Sequence, residues 1–332
     1  MEITIPRLSD MHAHLREGDL QRTILPFHDA HTTHIVAMPN TKEPLRTVNQ
    51  VVEYRRALDI FANNLSAKVP LYLTGTTTVD DIQKAVLAKI VSCKVYPIGV
   101  TTNSDAGIKF DESSLDLLND VFLSMSANGV ILSIHAELPG VNVLNAERAA
   151  MKYLTSLKDR FPLLRIIVEH VSTIEAVTWV IDHDLVAGTI TPQHMMLTFN
   201  DLFNGGMRPK YFCKPIVKTE ADRVAIVTAA TSGNPKFFLG SDSAPHINAN
   251  KYKDGGAAGV FNAPHLPGLL ARVFDDMNAL DKLADFACNF GPDFYGLQRP
   301  RKKLVLTDDR SQITTVESPI DFLACDSWGI RK

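Results

Sequence analysis

Two histidines lie two positions apart near the start of the chain, at His12 and His14. In an extended segment such residues project their imidazoles from the same face, which suits chelation of one metal ion. A single histidine in a strand is more often structural, so this pair alone leaves metal binding open. The prediction strengthens because His135, His170 and Asp242 also follow apolar runs of strand character. Four imidazoles and a carboxylate favour zinc or a similar divalent ion over magnesium or calcium.

Lys94 follows another apolar run, although an ammonium group cannot ligate a cation. Burial beside a positive charge would lower the pKa of this amine. The neutral amine could then react with carbon dioxide to give a carbamate, which can bridge two metal ions. Binding of an anionic substrate is the alternative role, and residue chemistry by itself favours that alternative.

The elements that must bring these residues together are short apolar runs, which alternate with longer helical patterns. Eight runs have the length and composition of strands, at residues 3–8, 34–38, 70–74, 90–95, 130–134, 164–168, 186–190 and 236–240. Apolar residues at helical spacing predict helices at residues 48–64, 111–128 and 173–184, the last with an N-cap signal at Ser172 and Thr173. Eight strands, each followed by a helix over about 240 residues, predict an α/β fold, a (β/α)8 TIM barrel with a short C-terminal extension.

An open, doubly wound sheet is the alternative architecture. It would usually have fewer strands and a glycine-rich phosphate turn, but the sequence has neither a GxGxxG nor a Walker motif. Continuously apolar strands also suit a parallel sheet that is buried on both faces. In a barrel the carboxyl ends of the strands form one ring, where active sites lie. The polar residues that follow the predicted strands, and would therefore converge, are His12, His14, Asn40, Lys94, His135, His170, Asp242 and His246.

Composition and charge limit the classes of function. A net charge of −3 argues against a nucleic-acid or membrane-surface partner, which usually requires a basic stripe. The four cysteines form no CxxC pair, which favours a reducing cytosol and disfavours a cysteine-ligated zinc site. No apolar leader segment opens the chain and no run of about 18 apolar residues occurs. A cytoplasmic location is therefore expected.

The alternating pattern weakens after Gly291. Residues 302–306 and 312–316 are predicted to form short strands in a tail. The predicted organisation is a barrel domain with a binuclear metal site at residues 1–297, and a tail packed on the barrel at residues 298–332.

The candidate residues and their neighbours resemble the amidohydrolase superfamily, and more narrowly the dihydroorotases of the shorter, monofunctional bacterial type. The likeness covers roughly residues 7–297. Its motifs are HAHLR at 12–16, MPN at 38–40, KVYPIGVTTN at 94–103, TPQH at 191–194, LGSDSAPH at 239–246, GVFNAP at 259–264, FGP at 290–292 and FYG at 294–296. Each motif is modest, but their combination in this order is specific.

The resemblance implies two Zn²⁺ ions per subunit and a homodimer. The implied ligands are His12, His14 and Asp242 at the more buried ion, His135 and His170 at the more exposed ion, and Lys94 between them. Lys94 would carry a carbamate derived from carbon dioxide, as N6-carboxylysine. Asp242 would also be the catalytic carboxylate, which transfers a proton between the nucleophilic water and the ring nitrogen.

The resemblance also implies a binding site for an anionic substrate. The positions that match contacts to the substrate carboxylate are Arg16, Asn40 and His246. Backbone groups at Lys214 and Ala258 match those that hold the pyrimidine ring, and Lys214 replaces a more usual apolar residue. The loop at residues 97–107 matches a lid in which Thr101 and Thr102 donate hydrogen bonds to substrate, although an ordinary loop is the simpler interpretation of its residues.

The implied reaction is the reversible, zinc-dependent cyclisation of N-carbamoyl-L-aspartate to L-dihydroorotate plus water, in de novo pyrimidine biosynthesis. A hydrolase of other cyclic amides, such as a dihydropyrimidinase or an allantoinase, is an alternative. Its substrates lack the carboxylate that Arg16, Asn40 and His246 would hold. A catalytically dead scaffold is a second alternative, but such a protein would have lost ligands that are all present here.

Several other polar residues receive no role at the metal site. His28, His31 and His34 precede a strand at the opposite end of the barrel and are predicted to be surface or structural residues. Four more residues could orient the ligands but stay unassigned, namely Asp10, Glu137, Glu169 and His194.

Overall fold

The computed structural model describes residues 1–332. Its strands are β1 (Glu2–Pro6), β2 (Leu8–Ala13), β3 (Thr32–Ala37), β4 (Ser66–Lys68), β5 (Leu71–Leu73), β6 (Ser92–Val95), β7 (Ile131–Ile134), β8 (Ile166–Val168), β9 (Val186–Ile190), β10 (Phe237–Leu239), β11 (Lys303–Thr307) and β12 (Gly329–Ile330). Its α-helices are α1 (Gly18–His31), α2 (Val48–Phe61), α3 (Val79–Leu87), α4 (Glu112–Leu117), α5 (Asn119–Asn128), α6 (Ala146–Arg160), α7 (Ile174–Asp182), α8 (Pro192–Met196), α9 (Glu220–Thr231), α10 (Asn248–Lys251), α11 (Leu266–Asp276), α12 (Leu280–Ala284) and α13 (Phe290–Tyr295). A π-helical turn, Asp285–Asn289, joins α12 to α13.

Strands β2 to β10 form the parallel barrel. The order β2-β3-β4 makes one part of the ring, and β5 to β10 pair consecutively in the other part. Strands β4 and β5 are two halves of one barrel strand, interrupted at Val69 and Pro70, because proline has no N–H for the ladder. The ring closes between β10 and β2, where the amide of Asp242 donates to the carbonyl of His12 over 2.8 Å. The predicted (β/α)8 barrel is confirmed.

The helices around the barrel begin where short polar side chains can cap them. Thr47, Thr78 and Thr219 each accept a hydrogen bond from the backbone N–H three residues later, and the side chain at that later position accepts one from the backbone N–H of the threonine. Thr173 caps α7 at the predicted position by accepting from the amide of Ala176. These caps fix where α2, α3, α7 and α9 begin.

The predicted barrel strand at residues 3–8 is wrong. Residues Glu2–Pro6 lie outside the barrel and pair antiparallel with β11, so that Glu2 faces Thr307. The first barrel strand is Leu8–Ala13, and the chain changes direction between the two at Arg7. There the guanidinium donates to the carbonyls of Ala30 and Thr32, each over 3.0 Å, at the end of α1. The run predicted at residues 3–8 is thus divided between two sheets.

The tail contains one of its two predicted strands. Residues 303–307 form β11, close to the prediction, whereas the strand predicted at 312–316 is wrong because only Ile313 forms a bridge, to Arg331. The third strand of this outer sheet is β12, which pairs with Leu306 and Thr307. Trp328 is buried and donates from its indole N–H to Asp275 of α11. The division of the chain at residue 297 stays a prediction.

One of the predicted helices is divided in the structure. The helix predicted at residues 111–128 is two helices, α4 and α5, because the chain leaves helical geometry at Leu118. None of the helices combines the length and the apolar character needed to span a membrane.

The interior of the barrel is filled by apolar side chains toward the amino ends of the strands. This cluster contains Met11, Val36, Met38, Ile131, Ile167, Ala187, Phe238 and Tyr295. The barrel is therefore a packed core rather than a channel, and only the carboxyl ends of its strands are free to carry polar groups.

Candidate active site

Three of the predicted ligands converge where β2 and β10 close the barrel. Nε2 of His14 lies 3.1 Å from Oδ1 of Asp242, and Nε2 of His12 lies 3.5 Å from the same oxygen. One ligand atom from each of the three side chains lies within 4.8 Å of the others. The backbone hydrogen bond between Asp242 and His12 holds this arrangement in register. Two imidazoles and a carboxylate at this spacing can share one cation.

The other two histidines meet on the neighbouring strands. Nδ1 of His135, after β7, lies 3.1 Å from Nε2 of His170, after β8. The rings of His170 and His12 have centroids 5.1 Å apart, so the two groups are adjacent. Both histidines are buried, and burial lowers the pKa of each below its ordinary value. Neutral imidazoles of this kind are the form that binds a metal.

Lys94 lies on β6, beside the strand that leads to His135, and is fully buried. Its Nζ has no hydrogen-bond partner and lies 3.9 Å from Oε1 of Glu169. Burial lowers the pKa of Lys94 to about 8, although the charges of Glu169 and Asp242 raise it. An unpartnered amine of reduced basicity is what carbamate formation needs, and a carbamate would supply the missing partners.

The candidate ligands are themselves held by buried carboxylates. Oε2 of Glu169 lies 2.8 Å from Nδ1 of His12, and Oε2 of Glu137 lies 2.7 Å from Nε2 of His135. Burial raises the pKa of Glu169, but the charges of His12 and Lys94 outweigh it and lower this pKa to about 2. Both contacts leave the opposite ring nitrogen free to face a cation. Paired imidazoles and ionised carboxylates fit a metal centre.

Arg16 and His246 form a basic pair beside this centre. Nη2 of Arg16 lies 3.0 Å from Nε2 of His246, and Nε of Arg16 donates to the carbonyl of Pro245 over 3.0 Å. Burial lowers the pKa of Arg16 to about 10, which still leaves the guanidinium charged at neutral pH. Asn40 forms no hydrogen bond with either residue and instead donates to the carbonyl of Thr102 over 3.0 Å. Its Oδ1 is buried without a partner.

A cavity of about 720 Å³ opens next to the basic pair. Its walls include the four remaining predicted substrate residues, Thr101, Thr102, Lys214 and Ala258. The carbonyl of Ala258 lies 3.0 Å from Nε2 of His246, so the cavity wall contacts the basic pair. None of the six candidate metal ligands lines the cavity, and its wall is linked to the site by the contact of Ala258 with His246.

Comparison with known proteins identifies the family. No protein-family model matches the chain. A dihydroorotase of Acaryochloris marina is 40% identical over 321 residues, which are 94% of this chain and 92% of that protein. A dihydroorotase of Picosynechococcus is 42% identical over 320 residues, 94% of this chain and 91% of its own length. The crystal structure of dihydroorotase from Saccharomyces cerevisiae in complex with 5-fluoroorotic acid superposes with a TM-score of 0.92 and 33% identity, covering 99% of this chain and 98% of that one.

The chain belongs to the dihydroorotase family. It is accordingly a hydrolase of the amidohydrolase superfamily that acts on a small molecule, as the sequence predicted. Dihydroorotases are metal-dependent, and the group formed by His12, His14 and Asp242 provides donors for a metal.

The structure thus brings the six predicted ligands to the carboxyl ends of the barrel strands, and it gives a role to two of the residues that the sequence left unassigned. Glu169 and Glu137, which the sequence offered as possible orienting residues, contact His12 and His135. Which ring nitrogen each carboxylate contacts depends on side-chain directions that the sequence does not contain. Asp10 does not contact a candidate ligand side chain in this way. It accepts hydrogen bonds from the amide and hydroxyl of Ser241 and so supports the turn before Asp242.

Backbone conformation at the site is unusual for residues with side chains. Arg16, His170 and Asp242 have φ angles of 54°, 42° and 45°, in the left-handed region. Such conformations cost free energy and persist where the surrounding structure fixes them. All three follow a barrel strand, on the side of the barrel where the candidate site lies.

Proposed function

We propose that this chain catalyses the reversible cyclisation of N-carbamoyl-L-aspartate to L-dihydroorotate in de novo pyrimidine synthesis, with the residues of the site in the following roles. The observation that carries the proposal is the half-buried Arg16–His246 pair beside the group of His12, His14 and Asp242. A substrate with one carboxylate and one reactive amide needs an anion site and a cation site side by side.

The metal centre is proposed to hold two zinc ions. His12, His14 and Asp242 would hold the first, His135 and His170 the second, and Lys94 as N6-carboxylysine would bridge them. When bound, the ions supply a Lewis acid for the amide carbonyl and make water nucleophilic at neutral pH. The buried, unpartnered Nζ of Lys94 and the facing nitrogens of His135 and His170 support this assignment.

Asp242 is proposed to move the proton. In ring opening its carboxylate accepts a proton from the nucleophile and delivers it to the leaving ring nitrogen, and in cyclisation it takes the proton from the ureido nitrogen. Burial raises the pKa of Asp242, but the hydrogen bond from His14 and the charges of His12 and His14 outweigh it and lower this pKa. The ionised carboxylate needed for the first step is therefore present at neutral pH.

The remaining residues are proposed to bind and orient substrate. Arg16 would hold the carboxylate through two parallel hydrogen bonds, with His246 and Asn40 as further contacts. Backbone groups of Lys214 and Ala258 would hold the ring, and this main-chain contact tolerates the unusual lysine. Thr101 and Thr102, on the cavity wall, would close over substrate as part of a lid.

The test is turnover of L-dihydroorotate by purified, zinc-loaded protein, with dihydrouracil and allantoin as controls that lack the carboxylate. We expect selective opening of dihydroorotate, together with two zinc ions per chain by elemental measurement. A ¹³C carbamate resonance after incubation with labelled bicarbonate would support the bridge, and its absence from a zinc-loaded, active preparation would contradict it. Two bound metals without turnover would reject the substrate but retain the hydrolase.

Two further proposals rest on the resemblance to dihydroorotases. The chain is proposed to form a homodimer, which light scattering of the purified protein would test by giving twice the chain mass of 36.6 kDa. It is also proposed to act in the cytoplasm, where pyrimidine synthesis would supply its substrate, and fractionation of the source cells would test this.

A further inference from the structure

Lys251 occupies an unusual position at the end of α10. Its side chain is 6% exposed, and its Nζ donates to the carbonyls of Phe212, Ala257 and Gly259 over 3.1, 3.0 and 2.7 Å. An ammonium group has three N–H donors, so this one is saturated by backbone and has none left for a ligand. No carboxylate forms an ion pair with it.

The three carbonyls belong to the two backbone segments that carry the proposed ring contacts. Ala257 and Gly259 flank Ala258, and Phe212 lies two residues before Lys214. The amide of Gly259 also donates to the carbonyl of Phe212 over 2.8 Å, so the segments meet at this point. Ala258 in turn contacts His246 through its carbonyl. Lys251 therefore joins the two backbone segments of the substrate pocket, and one of these segments contacts His246.

A buried ammonium without an acidic partner is costly to maintain in a protein. Here burial lowers the pKa of Lys251 to about 8. Removing the cation would leave three carbonyl dipoles directed at one another, and the segments would separate to reach water or other donors. The two segments contribute backbone rather than side chains to the pocket, so their separation would move the ring contacts directly.

We propose that Lys251 is a positioning residue for the substrate ring, because its ammonium fixes the backbone of Lys214 and Ala258 at one mutual distance. This inference rests on the proposed function for the identity of the ring. It assigns Lys251 an effect on substrate affinity, not on the proton transfer or the metal centre.

The chain offers a matched control for this role. Nζ of Lys236 also donates to three carbonyls, those of Val180, Ile181 and His183, over 3.2, 2.7 and 2.8 Å. These carbonyls lie at the end of α7, before β9, on the opposite side of the barrel from the site. Lys236→Met therefore removes the same kind of contact without touching the pocket.

The experiment compares Lys251→Met with Lys236→Met in the zinc-loaded full chain. We expect Lys251→Met to raise KM for dihydroorotate by about tenfold or more while kcat changes less than about threefold, the signature of lost uniform binding. The Kd of 5-fluoroorotate, measured by calorimetry, should rise by the same factor, and zinc content should stay at the wild-type level. Lys236→Met should leave KM and Kd unchanged.

Each outcome decides a separate question. Wild-type KM and Kd in Lys251→Met, with an active wild type, would overturn the positioning role but not the proposed function. If the wild type does not open dihydroorotate, the proposed function fails, and loss of 5-fluoroorotate binding in Lys251→Met alone still supports positioning. If Lys251→Met does not fold, Lys251→Gln takes its place, because its shorter, neutral side chain has only two N–H donors and leaves at least one of the three carbonyls without a donor; a Kd equal to that of the wild type would then overturn the role of the ammonium.

Discussion

Arg16 contacts neighbouring protein groups and keeps further N–H donors for an anion, a combination that requires an arginine side chain. Its Nε is used by the carbonyl of Pro245 and one Nη contacts His246, which leaves further N–H groups of the planar guanidinium for an anion. Lysine retains the charge but not the fork of parallel donors. We therefore expect Arg16→Lys to raise KM for dihydroorotate by about tenfold or more, with kcat within about threefold of wild type. Steady-state kinetics measure both values.

A substrate without the carboxylate provides the control for this substitution. Any slow opening of dihydrouracil should be equally fast in Arg16→Lys and in wild type, because that ring has no anion for the guanidinium to hold. Unchanged KM for dihydroorotate would show that Arg16 forms a structural ion contact instead.

Asp242 is the residue at which binding and proton transfer are hardest to separate. Asp242→Asn keeps the shape and one oxygen but cannot accept a proton, so kcat should fall by about 10²–10⁴-fold in both directions. Assays of ring opening and cyclisation, combined with zinc measurement, separate the two effects. Loss of zinc in parallel with activity would assign the defect to the metal site, and near-native turnover with zinc retained would exclude the proton role.

Individual site residues were accessible from the sequence where spacing and strand position carry the information. His12, His14 and Asp242 fall on strand ends, and the barrel then requires that they meet. Glu169 and Glu137 could be predicted only as possible orienting residues, because which histidine and which ring nitrogen each contacts follows from rotamers. The direction of the Asn40 side chain could not be predicted either, since its amide donates to the loop at Thr102 and does not contact Arg16.

At the scale of the elements, α1 carries a buried histidine, His28, that makes the stability of the fold depend on pH. Both ring nitrogens of His28 lack a partner, and burial lowers its pKa to about 3, from an ordinary 6.5. Between these values the unfolded chain binds a proton that the folded chain does not. Stability is therefore fully present above pH 6.5 and is lost as pH falls, at up to about 1.4 kcal/mol per pH unit for this one group.

Replacing His28 with leucine removes this proton. The pH dependence of the free energy of unfolding between pH 6.5 and pH 4 should become less steep than in wild type by up to about 1.4 kcal/mol per pH unit. Urea titrations at a series of pH values measure the difference. Parallel pH profiles for the two proteins would show that His28 is protonated, or hydrated, in the folded state.

The strand β10 approaches β2 closely because Gly240 follows it. A Cβ at this position would lie 2.6 Å from Cβ of Thr189 and 2.9 Å from Cβ of His12. Gly240→Ala should therefore lower the free energy of unfolding by about 1–3 kcal/mol and reduce zinc binding, since His12 would have to move. Gly75→Ala is the control, because its Cβ would meet only the side chain of Leu117 at 3.4 Å. Equal stability of the two variants would mean that the backbone between β10 and β2 shifts to make room for the added Cβ.

Element identity was predicted better than element boundaries. Periodicity located the strands of the ring, because buried parallel strands are apolar throughout. It could not divide the run predicted at residues 3–8 between two sheets, since the division depends on a strand that lies about 300 residues later. His28 and His31 were expected at the surface or in structural roles, and the structure buries both on the inner face of α1.

At the scale of the whole molecule, the tail is anchored by Trp328. Its side chain is 2% exposed, and its carbonyl lies so close to Gly268 of α11 that a Cβ there would approach within 2.1 Å. Trp328→Ala should lower the free energy of unfolding by about 3–5 kcal/mol, as measured by denaturant titration. Asp275→Ala removes only the partner of the indole N–H and should cost about 1 kcal/mol. A small effect of Trp328→Ala would mean that the tail is not part of the cooperative unit.

The pairing of β1 with β11 has a consequence for how the chain emerges from the ribosome. Glu2 is made well before its partner Thr307, which lies about 300 residues later in the chain. At the usual rate of about 5–20 residues per second, β1 waits on the order of 15–60 s with an unpaired edge. The barrel can close as soon as β10 has been translated, well before that edge is covered. We therefore expect the ring to form first, and β11, which is made afterwards, then covers the exposed edge of β1.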